Sequence, residues 1–535
     1  MPRKYIVILG SLMSGLGKGI VSSSIGKILQ SKGYKVIPIK FDGYLNVDCG
    51  TMNPFRHGEV FVLDDGTECD MDFGTYERFL NINIPGTCSI TGGKLFKRII
   101  EKERRGGFLG RDVQIIPHLT DEIKSWIRSV GEESNADIVL IEVGGTVGDL
   151  ENGYFLEAMR QLGREEKENV LFLQLTFVQS LAPGEQKTKP TQHANKLISS
   201  MGINPQIVIC REHEPLSKDA KEKLALYCNV PKEAIFDDPE LATIYELPIV
   251  LEKQKFSEQL LGTLSLPLKD KDLEEWRAVV SKIKNPKGEL NVGIIGKYTA
   301  VKDAYVSVKE ALVHSGAHHG VWVNVRWVEA SEIEEGKVKV EDALAGLDAI
   351  IVPGGFGSRG TEGKIECVKY AREKGIPYLG LCFGLQMQVI EFARNVAMMK
   401  GANSTELDEK TPFPVIDILP DQKNVKEKGG TMRLGAYDCI VKKGTKAHEA
   451  YGSDKISERH RHRFEVNPEH IGRIEEAGLI ISGTSPDGKI VEMVEWKDSF
   501  GISTQAHPEL KSRLEKPAPL FVALLGAALE KKKKD

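Results

Sequence analysis

The chain has 535 residues, 41% of them hydrophobic and 28% charged, with a net charge of −4. That length exceeds what one hydrophobic core fills, so two or more domains are expected, and the ordinary composition excludes fibrous, disordered and small disulfide-stapled classes. The balanced charge gives no basic field for nucleic acid, and no apolar run approaches the roughly 20 residues that span a bilayer.

The start, MPRKYIVILGS, lacks the long apolar region and small-residue cleavage site of a signal peptide. Eight cysteines are scattered with no pair three apart, which argues against zinc ribbons and redox pairs. A cytoplasmic protein is expected, with KKKKD at the end as a solvated tail.

In chain order, YIVILG (5–10) predicts a buried strand, followed by SLMSGLGKG (11–19) and the helical stretch GIVSSSIGKILQSKG (19–33). A strict phosphate loop reads GxxxxGK and then Ser or Thr. Backbone N–H groups cradle the phosphates, the lysine touches the outer ones and the hydroxyl holds Mg²⁺. Here Leu12 replaces the first glycine and Gly19 the hydroxyl residue, but Gly15, Gly17 and Lys18 keep the strand–turn–helix context, so a nucleotide site is expected. Other carboxylates at strand ends must then hold the metal, and the candidates are Asp72 in DDGTECDMDFG and Glu142 at the end of DIVLIEV (137–143). Lys40, ending KVIPIK (35–40), would be a second cation for phosphoryl oxygens.

VLFLQLTF (170–177) and QIVIC (206–210) complete the first set of strands, and their alternation with helices implies a parallel sheet covered on both faces. Between these two strands lies GEQKTKPTQH (184–193), whose two lysines and stiffening proline suit either a triphosphate or plain solvation. The charged stretch 265–290 carries one short helical pattern and predicts a linker at 268–288, between domains 1–267 and 289–535. The pattern then restarts with LNVGIIG (290–296), LDAIIVP (347–353) and IPYLGL (376–381). The expected fold is α/β, with two doubly wound parallel-sheet domains.

GLCFGLQ (380–386) places Cys382 between two glycines where strand turns to helix, the arrangement of a nucleophile elbow with sulfur in place of oxygen. The positive end of the following helix dipole favours a thiolate there. A nucleophile needs a base, and the base an orienter. QAHPEL (505–510) offers His507 and Glu509, two apart and facing one side if the segment is extended, as Pro508 would favour. The glycines of VPGGFG (352–357), aided by the Phe383 amide, could form an oxyanion hole. ERHRHRFE (458–465) lacks the neighbours of a metal site, but an arginine from it could anchor a carboxylate.

Together SLMSGLGKG, VDCGTMNPFRHGEVFV, DFGTYERF, IEVGGTVGD, GEQKTKPTQH, PGGFG, GLCFGLQ, NSTE, GGTMRLGA, ERHRHRFEV and AHPE resemble the CTP synthase family over essentially the whole chain. The C-terminal half alone is similar to class I glutamine amidotransferase domains, and the N-terminal half to a P-loop-like amidoligase. The resemblance implies a ligase of pyrimidine biosynthesis that converts UTP, ATP and glutamine into CTP, ADP, phosphate and glutamate. O4 of the uracil would be phosphorylated first, and ammonia from a cysteinyl thioester would then displace the phosphate at C4.

By resemblance, Cys382 would be the nucleophile, His507 its base and Glu509 the orienter. Gly355, the amides of Phe383, Gly384, Leu385 and Gln386, Glu406 and Arg463 would hold glutamine. ATP would meet Gly15, Leu16, Gly17, Lys18, Gly19, Ile20, Lys40, Arg211, Pro239, Glu240 and Leu241, with Asp72 and Glu142 on Mg²⁺. UTP, or the inhibitory product CTP, would be surrounded by Ser14, Asp149, Leu150, Glu151, Lys187, Thr188, Lys189, Pro190, Thr191, Gln192 and Lys223. His57 and Val60 would lie near an internal ammonia passage, and GSRGTEGK (357–364) in a lid answering to the activator GTP. A homotetramer is implied.

Two rival readings are weaker. A P-loop amidoligase joined to a glutaminase that amidates a cobalamin precursor would lack the KTKPTQH loop, and a catalytically silent nucleotide-sensing or filament-forming homologue would show a broken set of catalytic or metal residues.

Overall fold

The computed structural model describes residues 2–53, 57–182, 185–269, 272–297, 302–419 and 430–534. Gly184 of the basic loop and most of the stretch 418–430 lie outside the described residues. The chain forms two compact units, Met1–Asp48 with Thr75–Val280, and Cys49–Gly74 with Ser281–Asp535. A division at residue 267 would leave Cys49–Gly74 in the first half, whereas its contacts belong to the second unit.

The first unit is built on seven strands: β1 (Lys4–Leu9), β2 (Val36–Asp42), β3 (Ser89–Thr91), β4 (Ile138–Val143), β5 (Val170–Phe177), β6 (Ile207–Glu212) and β7 (Ile235–Pro239). They lie in the order β7-β6-β5-β1-β4-β2-β3, and every pairing is parallel. Valine and isoleucine dominate because both faces are covered, and β1 and β4 are buried along their whole length. β1 is central, with Val7 opposite Ile141 on one side and Phe172 on the other. The chain leaves β1 toward β2 and later returns past it to β5, so the strand order reverses around β1, where ligand crevices form.

The predicted linker holds the helix Glu274–Lys284, and its first half is anchored. Trp276 is 1% exposed, its indole N–H donates to the Tyr245 carbonyl at 2.8 Å, and it packs against Phe79 with the Lys27 ammonium over its ring. An indole needs both apolar cover and a polar partner, and this one finds both in the first unit.

The second unit has a nine-stranded sheet: β8 (Glu289–Gly296), β9 (Trp322–Glu329), β10 (Ala349–Val352), β11 (Tyr378–Leu381), β12 (Arg433–Val441), β13 (Lys455–His462), β14 (Ile480–Thr484), β15 (Val491–Glu495) and β16 (Gly501–Thr504). The order is β9-β8-β10-β11-β16-β15-β14-β12-β13. The first five are parallel, and the last four extend the sheet with antiparallel pairings. Helices Thr361–Lys374 and Phe383–Asn395 cover one face, and Val306–His319 and Pro519–Lys534 the other. The Cys49–Gly74 segment contributes a two-stranded ribbon, Phe61–Val62 with Glu68–Cys69. Asp64 pairs with Arg459 at 2.5 Å and Glu68 with Arg461 at 2.8 Å.

Candidate active site

Cys382 sits between the end of β11 and the helix Phe383–Asn395, with φ 52° and ψ −98°. A non-glycine residue at positive φ is strained and persists only when its surroundings fix it. Both flanking glycines are forced by contact: a Cβ on Gly380 would lie 2.2 Å from Ser503 Oγ, and one on Gly384 would lie 2.1 Å from the Val352 carbonyl oxygen. The Cys382 amide donates to the Thr504 carbonyl at 2.7 Å, fixing the turn to β16. Gln505 Nε2 donates to Sγ at 3.5 Å, and Sγ lies 3.7 Å from the Arg461 carbonyl oxygen.

His507 Nδ1 and Glu509 Oε1 are 2.7 Å apart. The two face each other across a 3₁₀ turn, Pro508–Lys511, and not along an extended segment, because Pro508 starts the turn at its first position where no N–H is needed. The His507 amide donates to the Arg459 carbonyl at 2.7 Å, and Gly354 leaves room for the ring, since a Cβ there would be 2.6 Å from His507 Cε1. His507 Nε2 is buried, and Cys382 is the group beyond Glu509 that interacts with the ring. Burial disfavours the imidazolium, but the Glu509 carboxylate and then Cys382 outweigh it and hold the ring's pKa up at about 10.

These groups line a cavity of about 550 Å³. Gly355, Cys382, Glu406, Arg463, His507 and Glu509 all reach it, and so does Val60 of the Cys49–Gly74 segment. His57 is exposed and is not among the lining residues. Glu406 accepts from the Gly357 amide at 2.8 Å, and burial raises its pKa against the pull of that amide and of Lys297. Arg463 donates to Thr431 Oγ1 at 2.9 Å, and burial lowers its pKa. Phe383, Gly384, Leu385 and Gln386 lie on the helix behind the cavity, with Gln386 Nε2 donating to the Phe464 carbonyl at 2.8 Å.

In the first unit, Gly15 and Gly17 take left-handed φ of 73° and 86°, and Gly17 caps the helix Lys18–Ser31. Nothing stands within 4 Å of a Cβ built on Gly15, so the turn is open as well as left-handed. The N-terminus of that helix points its amides at the turn, the setting in which phosphates bind. Lys18 Nζ donates to the Gly145 carbonyl at 2.7 Å, tying the loop after β1 to the loop after β4.

Glu142 on β4 is 2% exposed, and its Oε2 accepts from Ser22 Oγ at 2.9 Å and Tyr76 OH at 2.5 Å. Sequence reasoning missed both donors. The signal for Ser22 was its place one turn after Lys18, on the same helix face. Lys40 Nζ is 3.7 Å from Asp42 Oδ1. Asp72 opens the helix Asp72–Leu80, and its amide donates to Asp70 Oδ1 at 2.9 Å. Among the described residues, no group of three or more His, Cys, Asp or Glu side chains could hold a metal ion by itself.

Family comparisons match both halves of the chain. The model of the CTP synthase N-terminus matches residues 4–266, and that of the class-I glutamine amidotransferase matches residues 300–527. The CTP synthase of Archaeoglobus fulgidus is 52% identical over 534 residues, covering 99% of each chain. Those of Caldanaerobacter subterraneus and Carboxydothermus hydrogenoformans are each 51% identical, also over 99% of each chain. The chain belongs to the CTP synthase family.

The remaining residues singled out through the CTP synthase family resemblance fall on the first unit. Arg211, on β6, donates to Asp238 Oδ1 at 2.9 Å and to the Pro239 carbonyl at 3.2 Å, and Glu240 pairs with His213 at 2.8 Å. Ser14 is exposed, and so are Leu150 and Glu151 on the short 3₁₀ helix Leu150–Asn152 that follows β4. Asp149 accepts from the Thr146 amide at 2.6 Å and from its hydroxyl at 2.7 Å. Lys187 pairs with Glu185, and Lys189 and Pro190 open the helix Lys189–Ser200. Thr191 is buried, 3.0 Å from Thr176 Oγ1, and Gln192 donates to Thr188 Oγ1 at 3.0 Å. Lys223 pairs with Asp219 at 2.5 Å.

Proposed function

We propose that this protein makes CTP from UTP: UTP + ATP + glutamine + H₂O give CTP + ADP + phosphate + glutamate, with ammonia released in the second unit and consumed in the first. The observation that carries the reading is the cavity that gathers a strained Cys382, the His507–Glu509 pair and the two groups suited to an amino acid, Glu406 for its ammonium and Arg463 for its carboxylate.

In the glutaminase half, Cys382 Sγ attacks the side-chain amide carbon as the thiolate, its proton already resting on His507. The carbonyl electron pair moves to oxygen, facing the amides of Gly355 and Phe383. Collapse expels ammonia, which takes its proton from His507, and leaves a thioester. Water, deprotonated by the same ring, then releases glutamate. Glu509 keeps the ring oriented and offsets the cost of its positive charge, which is why the imidazolium is favoured in so buried a place.

In the synthetase half, the Gly15–Ile20 turn and Lys18 are assigned to the phosphates of ATP, with Lys40, Arg211 and residues 239–241 as further ATP contacts. Ser14, Asp149–Glu151, Lys187–Gln192 and Lys223 are assigned to UTP. O4 of the uracil takes the γ-phosphoryl group with loss of ADP, and ammonia then attacks C4 with loss of phosphate. Glu142, whose two recorded donors both engage Oε2, suits a hard cation at its other oxygen, and with Asp72 it would hold Mg²⁺. When bound, that ion neutralises charge on the transferring phosphoryl group. Regulation by GTP and by product CTP, and a homotetrameric assembly, belong to the same reading and rest on the family resemblance.

The test is CTP formation with glutamine and, separately, with ammonium. Cys382→Ala is expected to abolish the first and spare the second. Loss of both would refute the division of labour.

A further inference from the structure

Lys364 has no role in the reactions above, and its setting calls for one. It lies in the first turn of the helix Thr361–Lys374, where the helix dipole disfavours a cation, yet it is 1% exposed. Its Nζ has no hydrogen-bond partner among the described residues. The helix is pressed into place at this turn, since a Cβ on neighbouring Gly363 would come within 2.0 Å of the Ala330 carbonyl oxygen. A methionine would fill similar space without desolvating a charge, so packing alone does not account for lysine.

What the amine does face is the back of the cavity wall. Nζ stands 4.9 Å from the centroid of the Phe383 ring, and a Cβ built on Gly355 would be 3.6 Å from it. Gly355 and Phe383 are the two residues whose amides are assigned to the oxyanion of the glutamine adduct. Lys297, at the turn after β8, is the nearest other cation, and its Cε lies 4.0 Å from the same Gly355 position. Lys297 is already engaged with the Phe356 carbonyl, whereas Lys364, among the described residues, has no hydrogen-bond partner behind this wall.

We propose that Lys364 is a positioning residue for glutamine hydrolysis: its ammonium, held behind Gly355 and Phe383, makes the oxyanion wall more positive and favours the tetrahedral adduct on Cys382 over bound glutamine. The inference rests on the assignment of Cys382 as nucleophile. It adds no bond to the sequence of steps and acts only on the charge that the carbonyl oxygen acquires. Burial and then the charge of Lys297 push the Lys364 ammonium down to about 7, with Glu329, Cys367 and Cys382 pulling the other way. The wall therefore loses its charge as pH rises through neutrality, well below the titration of His507.

The test is Lys364→Met. Glutamine-driven kcat is expected to fall about tenfold, less than the 10²–10³ that removal of a direct oxyanion donor costs. KM for glutamine should stay within about twofold, and ammonium-driven synthesis and Tm should hold, because the reacting groups and the packing volume are unchanged. In the wild type, glutamine-driven kcat should decline as pH rises through about 7, and in the variant that inflection should vanish. Unchanged kcat, a loss carried by KM, or a lowered Tm with both activities reduced would each overturn the proposal. Should the variant fail to fold, the wild-type profile decides, and a flat course through neutrality would overturn it. A wild type that fails to use glutamine at all would count against the Cys382 assignment instead.

Discussion

Gly384→Ala probes the elbow without touching a reacting group. Its new Cβ would sit 2.1 Å from the Val352 carbonyl oxygen, 3.1 Å from that carbonyl carbon and 3.3 Å from the Val352 Cβ. Two of these three neighbours are backbone at the end of β10, so no side chain can swing aside. Relief to an ordinary contact needs the helix Phe383–Asn395 and the β10 end to part by about 1 Å, and that end leads directly into Gly354 and Gly355. Overpacking of this kind costs about 1–3 kcal/mol, and a 1 Å misplacement of reacting groups costs on the order of 10²-fold in rate. Glutamine-driven CTP formation should therefore fall on the order of 100-fold while ammonium-driven formation stays near wild type. Calorimetry should show a Tm drop of roughly 2–12 °C, from about 2–4 °C per kcal/mol for a domain of this size. A variant that hydrolyses glutamine at the wild-type rate would refute the close-approach argument, and one that loses the ammonium reaction as well would refute its confinement to the second unit.

If Lys18 holds the phosphates of ATP, as proposed, Lys18→Ala should end both glutamine- and ammonium-driven synthesis, and normal turnover would sink the phosphate assignment. Glu509→Gln should remove the partner that raises the His507 pKa. A group raised in the folded state stabilises fully below its unfolded value near 6.5 and loses that effect as pH climbs through about 10. The Tm gap between wild type and this variant should be widest below about pH 6.5 and close toward pH 10, and a gap that widens with pH would contradict the pairing. Arg372→Met should destabilise by about 3–5 kcal/mol, because it strips the bidentate partner from a Glu391 that is 0% exposed. Denaturant unfolding within about 1 kcal/mol of wild type would contradict it.

The parallel strands were legible because their two covered faces demand unbroken runs of valine and isoleucine, as in VLFLQLTF and DIVLIEV. β3, three residues at a sheet edge, and the antiparallel strands β12 and β13, which mix charged and apolar residues, carry no such run and were not foreseen. The elbow was legible for a local reason: only glycine fits at 380 and 384, and both flank the cysteine in sequence. The donors on Glu142 were not, because Ser22 and Tyr76 reach it from positions 120 and 66 residues away. His507 and Glu509 were found by the right residues and the wrong conformation, since a 3₁₀ turn brings them together where an extended segment was expected. Lys364 stood out in the sequence only as the last residue of GSRGTEGK, and its oddity is visible only once burial is known.

The pairing of Asp64 with Arg459 joins residues 395 positions apart. On a ribosome adding about 5–20 residues per second, the ribbon that carries Asp64 would wait roughly 20–80 s for its partner to be made. Arg459 is fully buried, and a fragment begun at β8 would leave its guanidinium without that carboxylate. The second unit thus takes in a clasp that is made early in synthesis, from within the stretch that chain order would give to the first.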